Sequence, residues 1–289
     1  MDRLEHLDGI KTFEGFEATL PPKAEYPCLL EGELSVRAAL EGACRAVALV
    51  LVDEHKKEKR DRKTIAFLAY LKKNGVSFIT APRAYIDHLV QEHDPTHAGH
   101  THGGIVALAS ERRYPAAEEL LCGAVPGDYW VCLDGVEDPF NFGYSIRAFY
   151  AMGCKGILLP GRNWETAAAV MARASAGASE RIPMAFLPSD DEKTAELFEK
   201  NGIHIVCSAL AKHSIPLYAF APEAPFVLFI GGEKRGISPL FMEKAHTVVH
   251  IPYVREEVRY SLPTNVVSAM FAAHLGALRL QEPGIPRLS

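Results

Sequence analysis

Apolar and polar positions alternate along the first half of the chain in a pattern that predicts strands and helices in turn. The apolar runs that are typical of buried strands cover residues 46–52, 76–79 and 104–109. Apolar side chains recur at helical spacing over residues 33–43 and 65–71, and the second of these helices ends at Asn74-Gly75. This alternation predicts a small α/β sandwich over residues 28–115.

The same alternation resumes after a segment rich in proline and glycine, residues 115–127, which is the predicted domain boundary. Strands are predicted over residues 129–136, 156–160, 182–187, 203–209, 226–232 and 247–252. Helices are predicted over residues 141–152, 164–176, 191–200 and 265–280. The fold class is therefore α/β, with a smaller N-terminal domain (1–120) and a C-terminal doubly wound parallel sheet (121–289).

Length and composition agree with a two-domain globular protein. The chain has 289 residues, of which 48% are hydrophobic and 23% charged. No run approaches the roughly 18 apolar residues of a membrane span, and the first residues carry acids where a secretory signal would be apolar. We therefore expect a cytoplasmic protein without a membrane partner.

The cysteines show no paired spacing that would indicate a disulfide framework or a zinc site. Several lie within apolar strand-like runs, where reduced cysteine acts as a small buried hydrophobe. The six are Cys28, Cys44, Cys122, Cys132, Cys154 and Cys207.

The net charge of −5 argues against a partner that is bound mainly through phosphate contacts. Residues 55–63 are the local exception, with six basic and two acidic side chains. A solvated loop that leads into a helix and an RNA contact both remain possible for this segment.

A glycine-rich turn, Gly231-Gly-Glu-Lys-Arg-Gly236, follows a predicted strand. It matches neither the dinucleotide-binding GxGxxG pattern nor the P-loop pattern GxxxxGK[ST]. A Rossmann dehydrogenase and a P-loop ATPase are therefore disfavoured.

Three segments taken together are more specific. They are residues 133–153, which contain Asp-Pro-Phe-Asn-Phe-Gly and Ser-Ile-Arg, residues 226–238 around the glycine turn, and residues 249–269, which contain His-Ile-Pro-Tyr and Ser-Leu-Pro-Thr-Asn. In order and spacing they resemble the three motifs of the SpoU (TrmH-like) family of RNA 2'-O-ribose methyltransferases, in the SPOUT class. The resemblance covers about residues 128–282.

The N-terminal part resembles the ribosomal-protein-like RNA-binding domain that many of these enzymes carry. His102-Gly-Gly-Ile-Val-Ala is similar to the His-Gln-Gly-Val-Val-Ala turn of that domain.

The resemblance implies a trefoil knot at the C-terminus, a homodimer formed through the C-terminal domain and S-adenosylmethionine as cofactor. It also implies that glycine backbone lies close to the adenine and ribose of that cofactor. The residues implied to bind it are Ala209, Gly231, Gly232, Gly236, Ile251, Pro252 and Leu262.

Three residues match catalytic positions of the first two motifs, and each has a simpler explanation beside the functional one. Arg147 would grip the phosphate beside the target ribose and could assist deprotonation, or it is a surface arginine on an amphipathic helix. Asn141 would hold substrate or neighbouring loops, or it caps a helix after Pro139. Glu233 would orient Arg147 or bind substrate, or it is an ordinary loop carboxylate.

The third motif departs from the family pattern. Where the family has Ser-Leu-Asn, this chain reads Ser261-Leu-Pro-Thr-Asn265, so two residues intervene. Either Ser261 or Asn265 keeps the family position, and Thr264 with Asn265 would also start a helix.

Four histidines lie within ten residues at positions 93, 97, 100 and 102. They could bind zinc, but they lie in a loop with no nearby cysteine, so a solvated or RNA-facing loop is favoured and no metal is expected.

The resemblance implies methylation of a ribose 2'-hydroxyl in structured RNA, with ribosomal RNA favoured over transfer RNA and no DNA partner expected. Two alternatives stay open. The altered third motif and the acidic net charge would suit a non-catalytic RNA-binding relative, and the low basic charge alone would suit a small-molecule methyltransferase.

Overall fold

The computed structural model describes residues 5–7, 10–13, 15–42, 44–59, 61–93, 102–160, 168–232, 236–258 and 260–281. The chain divides into two compact units. The N-terminal unit comprises Met1–Arg113 and Glu165–Arg181, and the C-terminal unit comprises Tyr114–Trp164 and Ile182–Ser289.

The N-terminal unit contains two sheets. The first is a three-stranded antiparallel meander of β1 (Glu5–Leu7), β2 (Ile10–Phe13) and β3 (Phe16–Thr19). The second contains β4 (Cys28–Glu31), β5 (Val47–Asp53), β6 (Phe78–Ala81) and β7 (Ile105–Ala109). Its order is β4-β7-β5-β6, with β5 parallel to β6 and β7 antiparallel to β4 and β5.

Helices cover both faces of the four-stranded sheet. They are α1 (Glu33–Glu41), α2 (Glu54–Glu58), α3 (Arg62–Lys73) and α4 (Arg83–His93). Successive side chains of a strand point to opposite faces, so Leu49 and Leu51 pack with α4 whereas Val50 and Val52 pack with α1 and α3. The predicted α/β sandwich is therefore observed. The meander and α4 were not predicted.

The C-terminal unit is built on one parallel sheet. Its strands are β8 (Tyr129–Asp134), β9 (Gly156–Leu159), β10 (Met184–Phe186), β11 (His204–Ser208), β12 (Ile215–Pro216), β13 (Phe226–Gly231) and β14 (Thr247–His250). The order is β10-β9-β8-β13-β11-β14-β12, and every neighbouring pair is parallel. The predicted α/β class with a parallel C-terminal sheet is confirmed, and the knot stays a prediction.

Helices cover both faces of this sheet as well. They are α5 (Ala117–Leu121), α6 (Pro139–Ala151), α9 (Asp191–Lys200), α10 (Pro239–Glu243) and α11 (Thr264–Arg279). On one face Tyr129 packs against Phe149 of α6 and Phe226 of β13. On the other face Trp130 belongs to the apolar cluster that contains Phe198 of α9.

The segment between β9 and β10 packs in the N-terminal unit, not on the parallel sheet. It forms α7 (Ala168–Ala174) and α8 (Ala178–Arg181). The predicted division at residue 120 assigned this segment to the C-terminal domain. It joins the N-terminal unit because Ala172 enters an apolar cluster there and Glu180 forms a 2.8 Å ion pair with Arg45.

The described part of the chain contains no helix that is both long and apolar enough to cross a membrane.

Candidate functional site

Loops at the carboxyl ends of three parallel strands surround a cavity of about 350 Å³. The loops follow β11, β13 and β14, and the segment that leads into α11 closes one side. A second cavity of about 700 Å³ adjoins the first. The two share five lining residues, Ser208, Ala209, Ser261, Leu262 and Val267. This is the sheet edge at which parallel α/β sheets bind ligands.

All seven residues that the sequence implied for cofactor binding line these two cavities. Gly231, Gly232 and Gly236 line the smaller cavity. Ile251 and Pro252 line the larger one. The remaining two, Ala209 and Leu262, line both.

The glycine turn is held against the end of β8. The amide of Gly232 donates to the carbonyl oxygen of Asp134 at 2.6 Å, and the amide of Ser238 donates to Asp134 Oδ2 at 2.9 Å. Within the turn, the amide of Gly236 donates to the carbonyl oxygen of Gly232 at 3.0 Å. On the outer side, Ser238 Oγ donates to Asp191 Oδ2 at 2.5 Å. The carboxylates of Asp134 and Asp191 therefore fix the turn from two sides.

The structure gives the first two glycines a role in packing. A Cβ atom on Gly232 would lie 2.1 Å from the carbonyl oxygen of Gly135, and one on Gly231 would lie 2.8 Å from Gly236 Cα. Gly231 thus allows the turn to close on itself and Gly232 allows it to pack against the loop after β8, while close approach of a cofactor stays a prediction. Gly236 has φ +67° with open space beside it, a conformation that favours glycine.

The first-motif residues lie on α6. Asp138 caps this helix, since its side chain accepts hydrogen bonds from the amides of Phe140 at 3.4 Å and Asn141 at 2.9 Å. The suggestion that Asn141 caps the helix is therefore wrong, because α6 already begins at Pro139. Arg147 is exposed and Asn141 half-buried, and neither is among the residues that line the two cavities.

The second-motif glutamate, Glu233, lies outside the described residues, between two glycines that line the smaller cavity.

The third motif divides between the cavity and the helix. Ser261 is exposed and lines both cavities. Thr264 is buried, begins α11 and lines the smaller cavity. Asn265 is the second residue of that helix and is not among the lining residues. The geometry brings Ser261 to the cavity, and the predicted helix start at Thr264 is observed.

Sequence reasoning missed Asp134, Ser238 and Asp191. Asp134 had a usable signal, because it is the polar residue that ends a buried parallel strand. The contact of Ser238 with Asp191 joins residues 47 positions apart and had no signal.

The buried thiols of this unit are not candidate nucleophiles. Burial, together with the nearby Asp134 carboxylate, raises the pKa of the Cys207 thiol to about 12. Cys207 Sγ instead donates to the carbonyl oxygen of Phe241 at 3.4 Å. A thiol that stays protonated at neutral pH packs as a small hydrophobe.

Two of the four histidines near residue 100 lie within the described residues, and each of them contacts a residue of α4. His93 Nδ1 lies 2.9 Å from the carbonyl oxygen of Leu89, and the buried His102 places Nε2 2.7 Å from Asp87 Oδ1. His97 and His100 lie outside the described residues. The residues that the structure describes include no group of three or more His, Cys, Asp or Glu side chains that could hold a metal ion.

The described residues of the basic segment 55–63, which are 55–59 and 61–63, lie on the surface of the N-terminal unit. Asp53 caps α2 by accepting from the amide of His55 at 3.0 Å, and Asp61 caps α3 by accepting from the amide of Thr64 at 2.9 Å. The exposed cations in this segment include Lys57, Lys59, Arg62 and Lys63.

The sequence model of the SpoU rRNA Methylase family matches residues 128–270. Among curated proteins, the chain is 30% identical over 200 residues to an "Uncharacterized tRNA/rRNA methyltransferase" of Mycobacterium avium. The alignment covers 68% of this chain and 62% of that relative, so the chain spans less than two thirds of the relative's length.

Two solved structures share the fold. An AdoMet-bound rRNA methyltransferase from Sinorhizobium meliloti superposes with a TM-score of 0.67 at 21% identity, covering 86% of this chain and 85% of that one. The SpoU methyltransferase AviRb from Streptomyces viridochromogenes superposes with a TM-score of 0.66 at 20% identity, covering 87% and 89%. Residues 128–270 of this chain therefore form a domain that matches the SpoU rRNA Methylase family.

Proposed function

We propose that this protein is an S-adenosylmethionine-dependent RNA methyltransferase that modifies a ribose 2'-hydroxyl, with ribosomal RNA as its substrate. The observation that carries the proposal is the convergence of all seven implied cofactor residues on two adjoining cavities at the carboxyl ends of parallel strands. The names of the relatives support it, because they describe a tRNA/rRNA methyltransferase and an AdoMet-bound rRNA methyltransferase.

The smaller cavity suits the adenosine part of such a cofactor. Aliphatic side chains of Ile230, Leu262 and Val267 line it together with the backbone of the glycine turn. A flat base can pack between such side chains and main chain, while the hydroxyl groups of Ser208 and Ser261 are placed to bond polar atoms. Bound S-adenosylmethionine would supply an activated methyl group on its sulfonium.

The protein's own residues then have to position the ribose. In the transfer, the ribose 2'-oxygen would bond to the methyl carbon as the carbon–sulfur bond breaks, the sulfur would leave as a neutral thioether, and the hydroxyl proton would pass to solvent water. We assign Ser261 to the ribose side of the cavity because it lines both cavities. Arg147, exposed on α6, is assigned to the neighbouring phosphate, since a guanidinium binds phosphate well and is a poor base at a pKa above about 12.

Asn141 and Glu233 complete the proposed catalytic set. Asn141 lies at the start of α6, where Ser145 Oγ donates to its backbone carbonyl at 2.8 Å, so the first turn of the helix is fixed. Its side-chain amide is assigned to substrate or neighbouring loops. Glu233, between Gly232 and Gly236 in sequence, is assigned to orienting Arg147.

RNA binding is assigned to the N-terminal unit. The exposed cations of residues 55–63 form its most basic segment, in a chain whose net charge is −5. Counterion release by such a cluster supplies affinity that does not depend on sequence.

We also propose that the protein is a homodimer through α6 and α11. These helices pack together and leave apolar side chains exposed, including Phe140, Tyr144, Val266 and Met270. Exposed apolar surface of this extent on adjacent helices is typical of a subunit interface.

The test combines cofactor binding with methyl transfer. Calorimetric titration with S-adenosylmethionine should give one site per subunit. Labelled methyl groups should then enter deproteinised ribosomal RNA and, after digestion, appear in 2'-O-methylnucleosides. Transfer to a transfer RNA pool alone would support the tRNA alternative. Cofactor and RNA binding without transfer would support the non-catalytic relative, which the altered third motif favours.

A further inference from the structure

The larger cavity, of about 700 Å³, includes two of the proposed cofactor contacts, Ile251 and Pro252, and extends beyond them along the segment that precedes α11, which leaves room for a second group. It shares Ser208, Ala209, Ser261, Leu262 and Val267 with the smaller cavity. A molecule held in the larger cavity would therefore lie directly against one held in the smaller cavity.

Two tyrosines line the larger cavity and keep much of their surface in solvent. Tyr253 is 42% exposed and Tyr260 is 71% exposed. Both lie on the segment that joins β14 to α11. Large rings left exposed at a cavity are a common feature of binding sites, because covering them removes apolar area from water. Their flat faces suit an aromatic ligand.

The charges around the cavity indicate which part of a nucleotide fits there. Arg255 and Glu256 both line it and carry opposite charges. Arg255 Nη1 also lies 3.4 Å from Glu257 Oε1. A phosphate would need an excess of positive charge, which these side chains do not provide, whereas an uncharged base needs apolar and aromatic surface.

We infer that Tyr253 and Tyr260 form a stacking site for the base of the nucleotide to be methylated. This inference rests on the proposed function. Tyr260 directly precedes Ser261, which lines both cavities, so a base at the tyrosines leaves its ribose beside Ser261 and the cofactor cavity. Stacking of this kind tolerates any base, because every base has a π face.

The experiment uses the full chain saturated with S-adenosylhomocysteine and a single-stranded RNA pentamer with 2-aminopurine at its centre. The fluorescence of 2-aminopurine is quenched when it stacks. Wild-type protein should quench it, and Tyr253→Ala and Tyr260→Ala should each weaken the binding by about 5-fold or more. Tyr253→Phe and Tyr260→Phe should bind as wild type does, because the ring persists.

Tyr218→Ala is the matched control, since Tyr218 is 75% exposed and does not line either cavity. It should leave quenching and affinity unchanged.

Several outcomes would overturn the stacking site. Two are an absence of quenching by the wild type and an unchanged RNA affinity in both alanine variants. A third is an equal loss of S-adenosylhomocysteine affinity in the alanine variants, which would show that the rings cover the cofactor. The fourth is a change of oligomeric state in these variants, which would assign the two tyrosines to a contact between copies of the chain. Methyl transfer by the wild type is scored separately. Transfer without quenching would reject the stacking site alone, and quenching without transfer would reject the proposed methyltransferase function alone.

Discussion

The two units hold their segments together in different ways, the N-terminal unit with buried charges and the C-terminal unit with closely packed backbone. In the N-terminal unit, the side chains of Glu180 and Arg45 are each 2% exposed and pair at 2.8 Å, and Arg112 lies 3.8 Å from the same carboxylate. In the C-terminal unit, the cavity wall is made by close backbone contact around Gly231 and Gly232. The first arrangement depends on charge balance and the second on the absence of a methyl group. Substitutions should therefore disturb the two arrangements by different mechanisms.

The buried charges help to hold α8 in the N-terminal unit. Glu180 belongs to α8, which is 135 residues from Arg45 in sequence. Cys44 Sγ donates to the Glu180 carbonyl at 2.7 Å, and a Cβ on Gly177 would lie 2.5 Å from that of Ala38, so α8 and the turn before it sit tightly on α1. Ion pairs add little net stability compared with apolar packing, but they strongly penalise an incorrect partner. We therefore expect the buried charges to disfavour a different segment at this position, whereas the glycine turn is held by close backbone packing together with hydrogen bonds to Asp134 and Asp191.

Removing the Glu180 charge should have the largest effect on stability. Glu180→Gln keeps the volume of the side chain but leaves Arg45 and Arg112 without their shared carboxylate. The free energy of unfolding should fall by about 3–5 kcal/mol, measured by urea denaturation. Glu41→Gln is the control, because the Arg181–Glu41 pair is partly exposed and should contribute less than about 1 kcal/mol. Equal losses of unfolding free energy in the two variants would contradict the expectation that a buried ion pair matters more than a partly exposed one.

Arg147→Ala should have the largest effect on the reaction. If Arg147 holds the phosphate, its loss should lower the rate of methyl transfer about 100-fold or more, as removal of a single transition-state donor does elsewhere. Affinity for S-adenosylmethionine should be unchanged, since Arg147 does not line the cavities. Arg147→Lys should recover part of the rate, because it restores the charge but not the forked geometry. Full activity in Arg147→Ala would show that Arg147 is an ordinary surface residue of α6 with no role in the reaction.

Gly232→Ala should impair cofactor binding through packing alone. The new Cβ would lie 2.1 Å from the Gly135 carbonyl, so the turn must move away from β8. Overpacking of this kind costs about 1–3 kcal/mol, which corresponds to roughly 5- to 150-fold in affinity if it falls on the bound state. Calorimetry with S-adenosylmethionine measures it. Gly202→Ala, at a glycine with φ +65° and open space beside it, tests whether glycine replacement outside the cavity has the same effect.

A smaller effect is expected from the surface cations. Replacing Lys57, Lys59 and Lys63 by glutamate should weaken binding to ribosomal RNA. The slope of log affinity against log salt should become shallower by about 1 for each phosphate that the protein no longer neutralises. Lys72→Glu with Lys73→Glu, at the other end of α3, is the control, since it reverses two charges outside the segment. A salt slope that stays the same in the first variant would mean that the segment is only solvated.

Features with a local pattern could be predicted from the sequence, and features that join distant segments could not. Strands such as β5, β8 and β13 were found because a strand covered on both faces reads as an apolar run. The seven residues proposed to bind the cofactor were chosen through motifs, and their convergence on the two cavities follows from parallel strands that end at one edge of the sheet. The docking of α8 could not be predicted, because the Glu180–Arg45 contact spans 135 residues and leaves no local pattern. The tyrosines at the larger cavity were missed because no spacing marks them.

The smallest expected effect is a pH dependence from the N-terminal interior, where His102 is fully buried. Burial lowers the pKa of His102 below its usual value, although Asp87, bonded to Nε2 at 2.7 Å, offsets part of that shift. Arg83 also lowers the pKa, and Glu31 raises it. The unfolded chain then binds a proton more readily than the folded one, so stability should fall as the pH drops below about 6.5 and should be unaffected above it.

Urea denaturation between pH 8 and pH 5 checks this sign, because His102→Gln should remove that part of the pH dependence whatever it does to overall stability. Asp87→Asn should make the loss steeper, since the carboxylate that favours the protonated ring is gone. The reverse trend, a wild-type protein that gains stability towards pH 5 relative to His102→Gln, would mean that the Asp87 contact outweighs burial. In that case the N-terminal unit would balance charge at His102 as it does at Glu180, and the contrast with the glycine-lined cavity would be sharper still.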